Sequence, residues 1–168
     1  MKPVEIQMRR ISVVSSRPFE EIVSRLTANI GRPDMNAFHR AVVAAKTVAD
    51  LEKVVHGAIG SSDLMEFVRF DPGEVLRKER GGQDRKILRL VVGNPLIMKE
   101  MARTVPDAAA YAPVTILIDE RADGVHLSYD LMASLLGPYG SEEALVVARE
   151  LDAKVESLLM SASSKDRE

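Results

Sequence analysis

Hydrophobic positions along the chain alternate between a spacing of two and the spacing of a helix, which predicts strands interleaved with helices. Residues 4–14 carry apolar side chains at Val4, Ile6 and Met8 and then at Ile11 and Val13. Alternate residues of a strand share a face, so this change of parity predicts a first strand with a bulge or break at Arg9-Arg10. Pro18 opens a helix on which Phe19, Ile22, Val23, Leu26 and Ile30 form one apolar stripe, ended by Gly31. Two more helices follow at 36–45 and 48–58. The second starts at a Thr47-x-x-Asp50 capping pattern and stops at Gly60.

The second half continues the alternation. Residues 64–70 read as a strand, and Asp71-Pro72-Gly73-Glu74 as a helix start in which Asp71 caps, proline takes the first turn and Glu74 sits at the positive end of the dipole. Gly81-Gly82 stops that helix. The next strand, 86–92, runs into Gly93-Asn94-Pro95, where Asn94 caps a methionine-rich helix that ends before Pro106. Residues 114–119 and 125–129 form an antiparallel hairpin across Arg121-Ala122-Asp123-Gly124, a longer turn than the commonest two-residue type. Ser141 caps the last helix, with Ala144, Ala148, Leu151, Val155 and Leu158 on one stripe. After Met160 the serine-rich tail has nothing to bury, so residues 162–168 are expected to be disordered.

The order strand, Gly93-Asn94-Pro95, helix, Val105-Pro106, Pro113, strand, acidic pair, Gly124, strand resembles the bacterial domain-of-unknown-function family three hundred and two. The resemblance runs from Leu64 to about Tyr139. It rests on Phe70-Asp71-Pro72, where the family has a strand ending in Ile-Asp-His, and on Val92-Gly93-Asn94-Pro95, where it has Phe-Gly-Asn-Pro. Pro72 therefore stands in place of the family's histidine, and Leu96 to Met98 replace its usual Gly-Thr. The resemblance implies an α+β fold of the TATA-binding-protein-like type, an antiparallel sheet of about five strands with helices packed mainly on one face, and a homodimer. The expected organisation is one domain over residues 1–161, with 32–60 a helical insertion.

Composition narrows the chemistry. A chain of 168 residues is long enough for one buried core, and 46% hydrophobic against 4% aromatic residues makes that core aliphatic. The formal net charge of −2 gives no reason to expect nucleic acid or an anionic membrane as partner. The absence of cysteine excludes disulfides, thiolate metal sites and cysteine nucleophiles. The first residues lack the apolar centre of a signal peptide and no later run reaches membrane-spanning length, so the cytoplasm is the expected compartment.

Candidate chemistry is sparse. His126, Ser128 and Asp130 alternate on one strand face and have the residue types of a hydrolase triad. Same-face neighbours on one strand sit about 6.5 to 7 Å apart, whereas a nucleophile and its base need about 2.6 to 3.2 Å; a polar sheet face is the better reading. Arg69 and Asp71 also share a face beside Met65 and Phe67, and either line a cleft or form structural ion pairs, with Asp71 capping the next helix. His39, His56 and His126 have no second ligand at helical spacing, and Asp119, Glu120 and Asp123 suit a charged hairpin end, so no metal and no cofactor is expected. Gly93-Asn94-Pro95 lacks the glycines and lysine of a phosphate loop. The basic run Arg77, Lys78, Arg80, Arg85, Lys86 is interleaved with Glu79 and Asp84 and has no aromatic residue for base stacking.

Met65, Met98, Met101 and Met132 with Phe67, Phe70 and Tyr129 are either plain core or the walls of an adaptable apolar pocket. Three functions remain open. A non-enzymatic binding module would hold a small apolar or amphipathic ligand among Phe67, Arg69, Asp71, Asn94, Met98 and Tyr129, in a closed apolar cavity. An enzyme would use Asp71, Arg69 and a tyrosine such as Tyr129 or Tyr139, and would show a carboxylate with a strongly shifted pKa. A sheet face that only joins two copies is the third.

Overall fold

The structure, a computed structural model, describes residues 5–79 and 86–164. Its five strands are Arg10–Ser15 (β1), Met65–Phe70 (β2), Ile87–Gly93 (β3), Val114–Arg121 (β4) and Gly124–Asp130 (β5). They form one antiparallel sheet in the order β1-β5-β4-β3-β2. The helices are Phe19–Thr27 (α1), Met35–Ala44 (α2), Val48–His56 (α3), Pro72–Glu79 (α4), Pro95–Ala102 (α5), Ala108–Tyr111 (α6), Met132–Leu136 (α7) and Glu142–Ser163 (α8). This is the expected α+β class.

The parity of the strands divides the sheet into two faces. Leu88, Leu90 and Val92 of β3, Val114, Ile116 and Ile118 of β4, and Leu127 and Tyr129 of β5 are buried in one core with Ile22 and Leu26 of α1, Met101 of α5 and Leu151 and Val155 of α8. The opposite positions carry Val14, Val68 and Phe70, each about half exposed at 49 to 52%. Helix α8 spans 22 residues, about 33 Å at 1.5 Å per residue. Its stripe Ala144, Ala148, Leu151, Val155 and Leu158 is buried as its spacing demands.

Four local expectations need correction. The first strand starts at Arg10, so the parity change at Arg9-Arg10 marks its beginning rather than a bulge within it. Arg9 is tied down instead by its amide on Ser134 Oγ (3.0 Å) and its carbonyl, which accepts from the Leu131 amide (2.9 Å). The β4–β5 connection is a two-residue turn, because the strands pair up to Arg121 and Gly124. Gly124 has φ of 139°, and a Cβ there would lie 2.6 Å from the Ser15 carbonyl oxygen, so the tight turn needs glycine. A real bulge sits in β2, between Glu66 and Val68, with Phe67 the extra residue. Finally, α8 continues to Ser163 and buries Ala162, so residues 162 and 163 belong to the helix.

Helix α3 carries the full Thr47–Asp50 capping box. Helix α2 begins at Asp34, whose carboxylate accepts from the Ala37 amide at 2.7 Å, and contains no fully buried residue. Val4, Gly81-Gly82, Arg80, Arg85 and residues 165–168 lie outside the described residues.

Candidate functional site

Of the six residues expected to bind a ligand, three meet. Phe67, Asn94 and Met98 line a cavity of about 100 Å3 at the end of the sheet, completed chiefly by Ile97, Met101, Pro113 and Leu151. Its walls are almost entirely apolar. The bulge in β2 turns Phe67 toward Gly93: a Cβ built on Gly93 would lie 3.6 Å from the Phe67 ring and 3.0 Å from Pro113 Cβ. Any larger side chain at position 93 would press on both walls.

Asn94 positions the helical wall. Its side-chain oxygen accepts from the Leu96 amide (2.9 Å) and its amide nitrogen donates to the Asp63 carbonyl (3.0 Å), so the cap fixes α5 against the loop before β2. At 8% exposure it spends its polar atoms on the protein and presents little to the cavity. Leu151 and Pro113 were not among the expected site residues. The stripe on α8 marks Leu151 as buried, but nothing local in the sequence brings it to Met98.

Arg69, Asp71 and Tyr129 lie elsewhere. After the bulge Arg69 shares a face with Glu66, and donates to it from Nε and Nη2 at 2.9 and 2.7 Å. Asp71 accepts from the Glu74 amide (2.9 Å) as the α4 cap and from Arg77 (2.9 Å). Burial pushes the Asp71 pKa up, but the bonds from Arg77 and the Glu74 amide outweigh it and leave the group below its ordinary value. Arg69 and Asp71 are therefore two separate ion pairs. Asp71→Asn should keep the cap and lose only a surface ion pair, costing at most about 1 kcal/mol, which urea denaturation would read. A loss beyond about 2 kcal/mol would contradict this assignment of Asp71 as a cap, since it exceeds what removing a cap altogether costs.

Tyr129 is 1% exposed in the core, and its hydroxyl donates to Asp152 of α8 at 2.6 Å. The same carboxylate accepts from the Met132 amide (2.8 Å) and the Ala133 amide (3.0 Å), the first two of α7. Leu131, at the N-cap of α7, provides no side-chain cap, and Asp152 does so from another helix. Burial beside this carboxylate pushes the Tyr129 phenol well above its ordinary value.

The triad residues part as the strand geometry requires. His126 meets Asp123 (2.9 Å), Ser128 meets Ser12 (3.3 Å), and Asp130 pairs with Arg10 (2.6 Å). Tyr139 meets Tyr111, oxygen to oxygen at 2.7 Å. Asp119 pairs with Arg121 at 2.5 Å. Among the described residues no group of three or more His, Asp or Glu is placed to hold a metal ion, and no helix is long and apolar enough to cross a membrane.

A five-stranded antiparallel sheet with its core and principal helices on one face defines an α+β protein. The family model described as domain of unknown function DUF302 matches residues 40–162, more than half of the chain, and the chain belongs to that family. A solved structure, the uncharacterized conserved protein DUF302 from Bacillus stearothermophilus, is 13% identical and superposes with a TM-score of 0.63, covering 92% of this chain and 98% of the other. At that identity it shows a shared fold. No curated protein matches the chain.

Proposed function

We propose that this protein is a non-enzymatic module that binds the apolar end of a small ligand in the cavity between Phe67, Met98 and Leu151. The observation that carries the reading is the convergence of these side chains from β2, α5 and α8 on one carbon-lined space. At about 100 Å3 it is smaller than the roughly 150 Å3 engineered cavity that accepts benzene or xenon, so it takes a short alkyl group rather than a whole drug-sized molecule. Methionine walls adapt to shape, which suits a ligand end of variable branching.

An enzyme around Asp71 and Arg69 is less well supported. The perturbed carboxylates Glu20, Asp50, Asp71 and Asp123 are all shifted downward, as ion-paired and capping groups are, whereas a general acid needs an upward shift. The open sheet face favours a second copy as partner. Five strands at about 4.8 Å spacing and about 20 Å length offer roughly 500 Å2 per copy, near the lower limit for a specific contact.

Xenon or a short alcohol such as butanol, titrated by NMR, tests the cavity. Binding should shift the Met98 and Met101 methyl signals, and Met98→Gln, nearly equal in volume but polar, should weaken it by about tenfold, the cost of an unsatisfied amide in an apolar wall. Unchanged affinity in Met98→Gln would remove this reading. Sedimentation of the same samples would show a dimer; a monomer at high micromolar concentration would remove the second copy.

A further inference from the structure

A second groove, about 320 Å3, runs between α1 and the β2–β3 side of the sheet, over a floor of Phe19, Val23 and Leu88. Its polar end is built around Glu66, whose side chain is 11% exposed. Arg69 grips that carboxylate with two hydrogen bonds. Arg32 approaches the same carboxylate only to 3.9 Å, stays 57% exposed, and makes no hydrogen bond among the described residues. Its planar fork of donors is uncommitted. Further along, Lys86 is paired with Glu20 at 2.5 Å. Among the described residues that line the groove, the charged side chains are Arg32, Arg69 and Glu20; with their ion-pair partners Glu66 and Lys86 included, three cations meet two carboxylates, on a chain whose net charge is −2.

We propose that this groove binds a carboxylate carried on a small apolar body, with the carboxylate on Arg32 and the body on Phe19, Val23 and Leu88. A guanidinium fork matches a carboxylate with two parallel hydrogen bonds, a geometry that a lysine ammonium does not offer. Ser24, which also lines the groove and whose hydroxyl has no partner among the described residues, supplies a neutral donor. Glu66 does two opposing things. It fixes Arg69, and its charge repels an incoming anion while attracting the Arg32 fork. Removing that charge should tighten binding, the reverse of what a merely structural Arg32–Glu66–Arg69 cluster would show.

The test uses the full chain and three probes: phenylacetate, phenylacetamide and acetate. Phenylacetate should perturb the NMR signals of α1 and β3. Phenylacetamide, which lacks the charge, and acetate, which lacks the body, should each bind at least about tenfold more weakly, as should phenylacetate to Arg32→Gln. Glu66→Gln should bind phenylacetate more tightly than the parent. Arg32 is exposed, so its variant remains informative even if Glu66→Gln unfolds. Equal binding of phenylacetamide, equal binding of acetate, or no change in Arg32→Gln would overturn the proposal. Phenylacetate that moves only the Met98 and Met101 methyl signals would also overturn it, while leaving the apolar cavity standing.

Discussion

Leu151→Asp should abolish folding. Leu151 is 2% exposed, lies on the buried stripe of α8, and forms a wall of the apolar cavity with Met98 and Met101. A carboxylate there would sit in the hydrophobic core, and an unpaired buried charge costs many kcal/mol or forces the group to take up a proton. The loss is comparable to the whole stability of a domain this size, about 5 to 15 kcal/mol. The neighbouring position shows what such a charge needs. Asp152 is also buried, at 6% exposure, but receives a hydroxyl and two amide donors. Circular dichroism of the variant should show no cooperative melt. A thermal midpoint equal to that of the parent would disprove the placement of α8 against the sheet.

Asp152→Ala should cost about 3 to 5 kcal/mol, because two buried donors, the Tyr129 hydroxyl and the Met132 amide, and the part-buried Ala133 amide lose their acceptor at once, each at about 1 to 3 kcal/mol less what water recovers. Tyr129→Phe removes one donor and leaves the two amides capped, so about 1 kcal/mol is expected. The two changes share a bond, and the double variant should fall short of their sum. The phenol also makes a pH prediction. Its pKa in the folded state lies above the ordinary value of about 10 that it regains on unfolding, so the folded state holds the proton more tightly. That stability is complete below about pH 10 and is lost as the pH rises further. Thermal midpoints between pH 8 and 11 should fall more steeply for the parent than for Tyr129→Phe. Tyr139 is shifted in the same direction by its bond to Tyr111, and the comparison subtracts its contribution. Parallel curves would show that the Tyr129–Asp152 contact does not form in solution.

The sequence by itself determined the elements and their buried faces, because those depend on local chemistry. A period of two assigns Leu88, Leu90 and Val92, or Leu127 and Tyr129, to one face of a strand, and the helical period does the same for Leu151 and Val155. Caps at Thr47, Asp71, Asn94 and Ser141 were legible because each bonds to an amide two or three residues on. The resemblance at Gly93-Asn94-Pro95 carried the family, and the strand repeat distance was enough to reject His126, Ser128 and Asp130 as a triad.

What joins distant segments was decided by the tertiary structure alone. Alternation along β2 places Arg69 with Met65 and Phe67, but one extra residue at Phe67 reverses the parity before Arg69 and delivers it to Glu66, while Asp71, past the end of the strand, caps α4. A bulge of this kind is set by pairing with β3, which lies some twenty residues away, and residues 64–70 contain no local signal for it. Tyr129 was expected at a ligand site and instead anchors Asp152, 23 residues along the chain. Asp152 itself, one carboxylate among many on a long amphipathic helix, becomes the cap of α7 only when α8 crosses that helix end. The cavity shares this origin: Phe67, Met98 and Leu151 each follow the rule of their own element, and the space between them exists only because β2, α5 and α8 converge beside Gly93 and Pro113.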